Sequence, residues 1–409
     1  MSKTSEGYRK FMLLWSGEFV SAIGGGLSSF GLSVYVFQQT GSAASTALVT
    51  LLAFLPALVL GVPAGVLADR FDRRSLMMLG DGCSALGLIY ILICMMNGKA
   101  ALWQICLGVT VSSVFSSLLE PAYKATVTDL LTKEEYTKAS GLIGLAGSAR
   151  YLVSPVLAGA LLAVSDIRLL LVIDIATFIL TVTVTCIVKK GLETKISTET
   201  HSFFGDIKDG WNVVTKNRGV LTLIIMTSVM TFSMGAIQIL SEPMILSFAD
   251  SSTLGIAETV CASGMLVSSL ILGIRGMKKN YVKLLCLSLF AAGICMVLFG
   301  WKDSIAIICV FGFLFFAMLP FANGALDYLL RTNIPEELQG RAWGLIGFLT
   351  QIGYVAAYGI SGMIADGIAK AMQISVGRGS GLVIMASGVL LLSVTVGLYF
   401  MKSVRKLEA

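Results

Sequence analysis

Residues 46–96 read TALVTLLAFLPALVLGVPAGVLADRFDRRSLMMLGDGCSALGLIYILICMM, and this stretch decides the fold. Five of the six residues from Asp69 to Arg74 are charged, and a long apolar run stands on either side of them. About 18 or more consecutive apolar residues mark a helix that spans a membrane. The stretch therefore predicts two spanning helices joined by a short, highly charged loop.

The composition extends this pattern to the whole chain. Of the 409 residues, 56% are hydrophobic and 13% are charged, whereas a soluble domain carries about 25% charged residues. The mean hydropathy is +0.85. We predict a polytopic membrane protein with twelve spans, at residues 11–36, 43–68, 75–96, 101–122, 139–164, 168–190, 220–245, 253–275, 282–300, 304–326, 342–368 and 380–402.

Lysine and arginine are divided unevenly between the two sides of this topology. Of the 30 residues of these types, Arg150 lies within a span, and those opposite the termini are Lys99, Arg168, Lys302, Lys370 and Arg378. Basic residues concentrate on the cytoplasmic side of membrane proteins. We therefore expect a multi-pass plasma-membrane protein with both termini in the cytoplasm. Basic loops beside anionic lipid also account for the net charge of +6 without nucleic acid.

The two halves of the chain carry related sequences. KEEYTKASGLIG at 133–144 is similar to PEELQGRAWGLIG at 335–347, and each copy links the fourth span of its half to the fifth. Parallel six-helix repeats with a substrate site between them are a transporter architecture. We predict an all-α membrane protein with twelve transmembrane helices, arranged as two parallel six-helix repeats around a central cavity. The predicted bundles are residues 1–188 and 220–409.

A polar segment at 189–219 joins the two predicted bundles on the cytoplasmic side. Its apolar residues Phe203, Phe204, Ile207, Trp211 and Val214 follow one helical stripe. This spacing fits an amphipathic helix at the membrane surface, and it fits an ordinary linker helix equally well.

Cysteine and histidine usage argues against a metal site or an enzyme. All eight cysteines lie inside apolar runs without a C-x-x-C pair, and His201 is the single histidine of the sequence. A metal or disulfide framework needs regular ligand spacing, and a hydrolytic or metal site needs an organised polar cluster. We expect no metal, no cofactor and no enzymatic activity. A sensor or scaffold with a transporter fold usually has an added soluble domain, and none is predicted.

The charged loop GVLADRFDRR at 65–74 resembles the signature loop of the major facilitator superfamily, G-x-L-a-D-R/K-x-G-R/K-R/K. The matching residues are Gly65, Leu67, Asp69, Arg70, Arg73 and Arg74, and Asp72 replaces the usual second glycine. The departure resembles one in the Mef-type macrolide and drug efflux branch. LWSGEFVS, FLPALVLG, SPVLAGALL, LVIDIAT and CASGMLVSSLILG, in spans one, two, five, six and eight, point to the same branch.

The resemblance implies alternating access, export driven by the proton gradient, and a loop that latches the cytoplasmic side against span eleven. The residues expected in this latch are Gly65, Asp69, Arg70, Asp72, Arg73, Arg74, Asp81 and Arg341. Asp81 is expected to pair with the loop arginines. The plainer alternative is that three arginines only hold the loop inside. Asp72 adds a second acid among three arginines and either strengthens the latch or only fixes the loop.

Charged residues inside spans are costly and usually functional. The candidates for proton coupling are Glu18, Arg150, Glu242, Glu258 and Asp174. A changing distance between Glu18 and Arg150 would couple protonation to conformation, whereas a fixed pair would only hold helices together. Glu242 alternatively faces water at the outer interface. Asp174 is alternatively structural, bonded to a threonine such as Thr177.

Substrate contacts are expected from soft and aromatic side chains on the spans that, by the resemblance, line the cavity. These residues are Phe30, Tyr35, Tyr151, Phe232, Met234, Gln238, Tyr354 and Tyr358. We predict a monomeric, proton-coupled exporter of amphiphilic, drug- or macrolide-like small molecules, whose partners are its substrate, protons and the lipid bilayer. The alternative is a lipid or lysolipid translocator, or an exporter of an endogenous metabolite.

Overall fold

Fifteen helices make up the folded part of the chain in a computed structural model that describes residues 3–132, 135–189, 211, 215, 218–277, 280–334 and 339–408. Spans one to six are Lys3–Thr40, Ala43–Arg70, Arg73–Met96, the pair Leu102–Ser116 and Leu119–Leu130, the pair Tyr136–Leu152 and Ser154–Val164, and Ile167–Lys189. Spans seven to twelve are Arg218–Leu246, Ser251–Arg275, Tyr281–Phe299, Ile305–Asn333, Gln339–Met372 and Val376–Phe400, and a short helix, Lys402–Arg405, follows.

Twelve helical segments of the described residues are long and apolar enough to cross a membrane, so the predicted number of spans is confirmed. A membrane favours helices because each backbone polar group is then bonded within its own segment. Span four continues to Leu130, beyond its predicted end at residue 122. The extension is stable because Tyr123, Val127 and Leu130 are buried in a cluster with Phe11 of span one.

Spans four and five are each broken into two helices, although the sequence predicted continuous segments. The first break lies at Ser117 and Leu118, just before Pro121, and the second at Val153, just before Pro155. Proline has no backbone N–H and its ring crowds the carbonyl four residues earlier. A proline lies close after each interruption, and apolar composition alone does not reveal these breaks. Proline is not sufficient by itself, because Pro243 and Pro320 lie inside unbroken helices.

The chain divides into two compact units, and each contains six spans or nearly complete spans. The first unit comprises Met1–Thr40, Leu48–Glu199 and Ser251–Ile256, and the second comprises Gly41–Ala47, Thr200–Asp250 and Ala257–Ala409. In the first unit span one packs on spans five and six, and span three on spans four and six. In the second, span seven packs on spans eleven and twelve, and span nine on spans ten and twelve.

The same packing order in both units is what a six-helix repeat requires. It agrees with the sequence similarity between 133–144 and 335–347. The bundle borders at 188 and 220 remain predictions. The predicted amphipathic stripe of the 189–219 segment lies outside the described residues, apart from Trp211.

Candidate functional site

Asp72 anchors the signature loop inside the first unit. It is the N-cap of span three, and its Oδ2 accepts hydrogen bonds from the Ser75 backbone N–H at 3.2 Å and the Ser75 hydroxyl at 2.6 Å. Lys189 Nζ, at the end of span six, lies 3.0 Å from the same oxygen and donates to Ser75 Oγ at 2.6 Å. Partial burial raises the pKa of Asp72, but the Ser75 hydrogen bonds and Lys189 outweigh it, so the pKa lies below its usual 3.8.

The position that is usually glycine therefore carries a helix cap and an ion pair. Side chains at this place satisfy backbone N–H groups that the first turn of a helix leaves unpaired. In this structure Asp72 fixes the loop to the start of span three and to the end of span six.

Arg73 and Arg74 converge on Asp129 at the end of span four. Arg73 donates to Asp129 Oδ1 at 2.8 Å and to the carbonyls of Ala125 and Ala68 at 3.2 and 3.3 Å. Arg74 is only 3% exposed, and its guanidinium lies 3.8 Å from Asp129 Oδ2. Sequence reasoning missed Asp129 because it follows the apolar segment, and only the helical extension brings it to the loop.

The other expected latch residues make fewer contacts. Arg70 is exposed. A Cβ at Gly65 would meet no described atom within 4 Å, and the place of Gly65 in a latch remains a prediction. The side chains of Asp69 and Arg341 lie outside the described residues, and their place in a latch remains a prediction.

Asp81 is not part of the loop network, contrary to expectation. It lies seven residues after Arg74 on the same helix, which is a rise of about 10 Å, and the arginines bind Asp129 instead. Asp81 is 2% exposed and interacts electrostatically with Glu18 of span one and Asp174 of span six. The carboxyl therefore belongs to an intramembrane cluster.

Glu18, half-buried on span one, also interacts with the buried hydroxyl of Tyr123 from span four. No ion pair joins Glu18 to Arg150 within the described ranges, so the fixed pair is not formed in this structure. A changing distance between the two residues remains a prediction. Arg150 is exposed, and its electrostatic partner is Asp174. Pairwise electrostatic interactions therefore link four ionisable residues of the first unit, in the order Glu18, Asp81, Asp174 and Arg150.

Asp174 is 2% exposed and is bonded to Thr177, as the structural alternative expected. The Thr177 hydroxyl donates to the Asp174 backbone carbonyl at 2.7 Å and reaches Asp174 Oδ1 at 3.4 Å. Gly24 of span one allows this approach, because a Cβ there would lie 2.6 Å from Thr177 Oγ1 and 3.0 Å from Asp174 Oδ1. Gly31, two turns along, faces Ile167 and Leu170 in the same way. A row of small residues lets two membrane helices approach closely.

The second unit contains another carboxyl pair. Glu242 of span seven and Glu258 of span eight are both half-buried and interact electrostatically with each other. Gln238, one turn before Glu242, accepts a hydrogen bond of 2.7 Å from the Tyr358 hydroxyl of span eleven. Tyr358 is buried, so this bond ties spans seven and eleven together within the unit.

The residues expected to contact substrate differ in exposure. Phe30 and Tyr358 are buried, Tyr151 is exposed, and the partly exposed ones are Tyr35, Phe232, Met234, Gln238 and Tyr354. Tyr35 lines a cavity of about 350 Å³ in the first unit, together with Gln38, Lys99 and Arg168. Phe30 packs in the helix core, and the contact of the others with substrate remains a prediction.

Asp366 of span eleven was not recognised from the sequence. Its carboxylate accepts hydrogen bonds from the Ser42 hydroxyl at 2.6 Å and from the Ala43 and Ala44 amides at 2.9 and 3.1 Å. It therefore caps the start of span two, and all four residues belong to the second unit. A capping residue more than 300 positions away in the chain leaves no local sequence signal.

Across the described ranges, no group of three or more His, Cys, Asp or Glu side chains is placed to hold a metal ion. The arrangement consists instead of twelve spanning helices, carboxyl pairs inside the membrane and a charged loop anchored to its own bundle. These features define a polytopic membrane transporter.

Comparisons with known proteins identify the family of this transporter. The family model of the Major Facilitator Superfamily matches residues 14–358, and the chain belongs to that superfamily. Over 413 residues it is 25% identical to Macrolide efflux protein A of Streptococcus pyogenes, with 100% of both chains covered. It is 26% identical over 308 residues to Macrolide efflux protein A of Enterococcus faecalis, covering 74% of this chain and 95% of that relative.

A solved structure supports the same fold. A bacterial homologue of the iron transporter ferroportin in an inward-facing state has a TM-score of 0.75 and 14% sequence identity, with 96% of this chain and 99% of that chain covered. This likeness concerns the fold alone. The resemblance to the superfamily and to its macrolide efflux branch, drawn from the signature loop, is confirmed.

Proposed function

We propose that this transporter exports amphiphilic small molecules, including macrolide-like compounds, by proton-coupled alternating access. The observation that carries the proposal is the full-length similarity to Macrolide efflux protein A. The protein works as a monomer in the plasma membrane, with both termini in the cytoplasm. The uneven distribution of lysine and arginine supports this orientation.

Two carboxyl pairs inside the membrane support the proton coupling. Glu18 and Asp81 are neighbours in the first unit, and Glu242 and Glu258 are neighbours in the second. One of two adjacent carboxylates in a low-dielectric environment is stabilised by taking up a proton. A proton that moves through 100 mV supplies about 2.3 kcal/mol, which is sufficient to bias two conformations of similar energy.

The carboxyl groups of these two pairs also influence which substrates can bind. Acidic side chains beside a transport cavity favour cationic or neutral substrates over anionic ones, because an anion would be repelled in a medium of low dielectric. Partly exposed Phe232, Met234 and Tyr354 on spans seven and eleven offer polarisable surfaces to apolar parts of a substrate.

We assign the signature loop to conformational control and not to substrate binding. Arg73, Arg74 and Asp72 are fixed to spans three, four and six of their own unit. Asp69 and Arg341 remain the proposed partners of a latch. Asp69→Asn should leave insertion into the membrane unchanged and reduce transport.

Reconstitution in proteoliposomes tests the proposed function. An imposed pH gradient should drive accumulation of erythromycin or ethidium, and a proton ionophore should abolish it. The panel should include a lysolipid and a strongly anionic dye as comparison substrates. Accumulation that ignores the gradient for every substrate would overturn proton coupling, and movement of the lysolipid alone would overturn the substrate class.

A further inference from the structure

Two buried polar atoms of the first unit have no hydrogen-bond partner in the described part of the chain and lie near the same carboxyl group. They are Asp81 Oδ2 and the Tyr123 hydroxyl, on residues that are 2% and 6% exposed. Each residue interacts electrostatically with Glu18. Buried polar groups are normally paired, so two unpaired polar atoms of spans three and four are an exception that needs an explanation, and both interact with one carboxyl group of span one.

The charges around Asp81 are unbalanced. Span one presents Glu18, span four presents Tyr123, and span six presents Asp174 and Thr181. On span three itself, the nearest arginine pairs with Asp129, and Arg150 interacts with Asp174. Within the described ranges no lysine or arginine forms an ion pair with Glu18 or Asp81. A buried charge without a partner is strongly unfavourable.

A bound proton accounts for the unpaired Asp81 oxygen and for the two neighbouring acids, and a metal ion does not. A proton on Asp81 Oδ2 removes one of two neighbouring negative charges and converts an unpaired acceptor into a donor. Hard cations such as Ca²⁺ require six to eight oxygen ligands. The described residues offer no group of three acids, histidines or cysteines that could hold a metal ion.

We propose that Glu18 and Asp81 bind one transported proton as a coupled pair, with the Tyr123 hydroxyl as a third member of the site. Half-buried Glu18 exchanges the proton with the surroundings, and Asp81, which is buried, holds it. Asp81 is thereby moved from the loop, where sequence reasoning put it, to the coupling site. The inference rests on the proposed proton-coupled export and names the place where coupling occurs.

The test compares two transport modes in proteoliposomes, with erythromycin and ethidium as probes. One mode is accumulation driven by an imposed pH gradient, and the other is exchange of labelled for unlabelled probe without a gradient. Asp81→Asn and Glu18→Gln should lose the gradient-driven component and retain exchange. Tyr123→Phe should keep both modes and shift the pH dependence of the driven one. Glu120→Gln is the matched control, because Glu120 is exposed and pairs with Lys124 one turn away, and its pH profile should be unchanged.

Each failure has a distinct meaning. A wild-type protein that ignores the pH gradient overturns the proposed function itself. If the wild-type protein responds to the pH gradient and Asp81→Asn has the same pH profile, the assignment of the proton site to Glu18 and Asp81 is wrong. The proposed proton-coupled export is not affected by that result. Accumulation driven by a sodium gradient overturns the choice of a proton. If Asp81→Asn fails to fold, Tyr123→Phe still tests the site, because it removes only one hydroxyl group. An unchanged pH profile of gradient-driven transport in Tyr123→Phe would then overturn the assignment.

Discussion

Replacing Asp366 with alanine should loosen the start of span two. The carboxylate accepts three hydrogen bonds, from the Ser42 hydroxyl and from the Ala43 and Ala44 amides. Loss of a capping side chain costs about 0.5–2 kcal/mol, and loss of a negative charge at a helix N-terminus costs about 0.3–1 kcal/mol. Together these give about 1–3 kcal/mol, or roughly 5- to 150-fold in the local opening equilibrium.

Hydrogen–deuterium exchange of the peptide that contains Ala43 and Ala44 measures this opening in the detergent-solubilised protein. Asp366→Ala should raise the exchange rate by the factor given above, and Asp366→Asn, which keeps an acceptor oxygen, should raise it less. Asp303→Ala is the control, because Asp303 lies 3.8 Å from Arg378 in a partly exposed pair. Exchange at Ala43 and Ala44 that stays at the wild-type rate in Asp366→Ala would refute the capping argument.

Three further substitutions test the remaining geometry by thermal or denaturant unfolding. Asp129→Asn should destabilise the protein by about 2–4 kcal/mol, because buried Arg74 loses its carboxylate partner. The control is Asp327→Asn, which breaks the exposed Asp327–Arg331 pair and should lower the free energy of unfolding by at most about 0.5 kcal/mol. Asp72 has a lowered pKa, so its contribution to the free energy of unfolding is present above about pH 4 and is lost as the pH falls through the folded-state pKa. Asp72→Asn should remove this loss of stability at acid pH. The pH dependence of the unfolding free energy between about pH 5 and 8 should stay unchanged. Gly353→Ala places a Cβ against the Ser228 carbonyl and the Thr231 hydroxyl and should cost about 1–3 kcal/mol, whereas Gly359→Ala on the same helix has open space and should be neutral or slightly stabilising. Equal unfolding midpoints of Asp129→Asn and Asp327→Asn, or of Gly353→Ala and Gly359→Ala, would contradict the corresponding contact. An acid-side loss of stability in Asp72→Asn as large as in the wild type would contradict the Asp72 contacts.

Hydropathy and charge were sufficient for the span count, because it depends on long-range averages of composition. The family followed from a local motif, the charged loop at 65–74. Individual pairs were harder to predict. Asp81 and the loop arginines are close in sequence, yet two helical turns separate them, and the arginines bind Asp129 on another span. Glu18 and Arg150 were matched by opposite charge, whereas the fold places Glu18 beside another acid.

The partners that sequence reasoning missed share one property. Asp129, Tyr123 and Asp366 each act on a residue from a different span, and none carries a local motif. Their roles depend on which helix faces which, and hydrophobic periodicity in an almost uniformly apolar span determines that poorly. Asp72 differs from these residues, because an aspartate three residues before a serine at a helix start is a local capping arrangement. Sequence reasoning did not use that signal and left the role of Asp72 open.

Span one contains three consecutive glycines, Gly24, Gly25 and Gly26, and they determine where a reporter group can be attached. At Gly24 and Gly26 a side chain would collide with Asp174, Thr177 or Ser154, whereas a Cβ at Gly25 meets no described atom within 4 Å. In a variant whose eight native cysteines are replaced, a cysteine at Gly25 would therefore carry a fluorophore or spin label about two turns from Glu18, at a position where its Cβ meets no described neighbour. Such a label would follow span one during turnover.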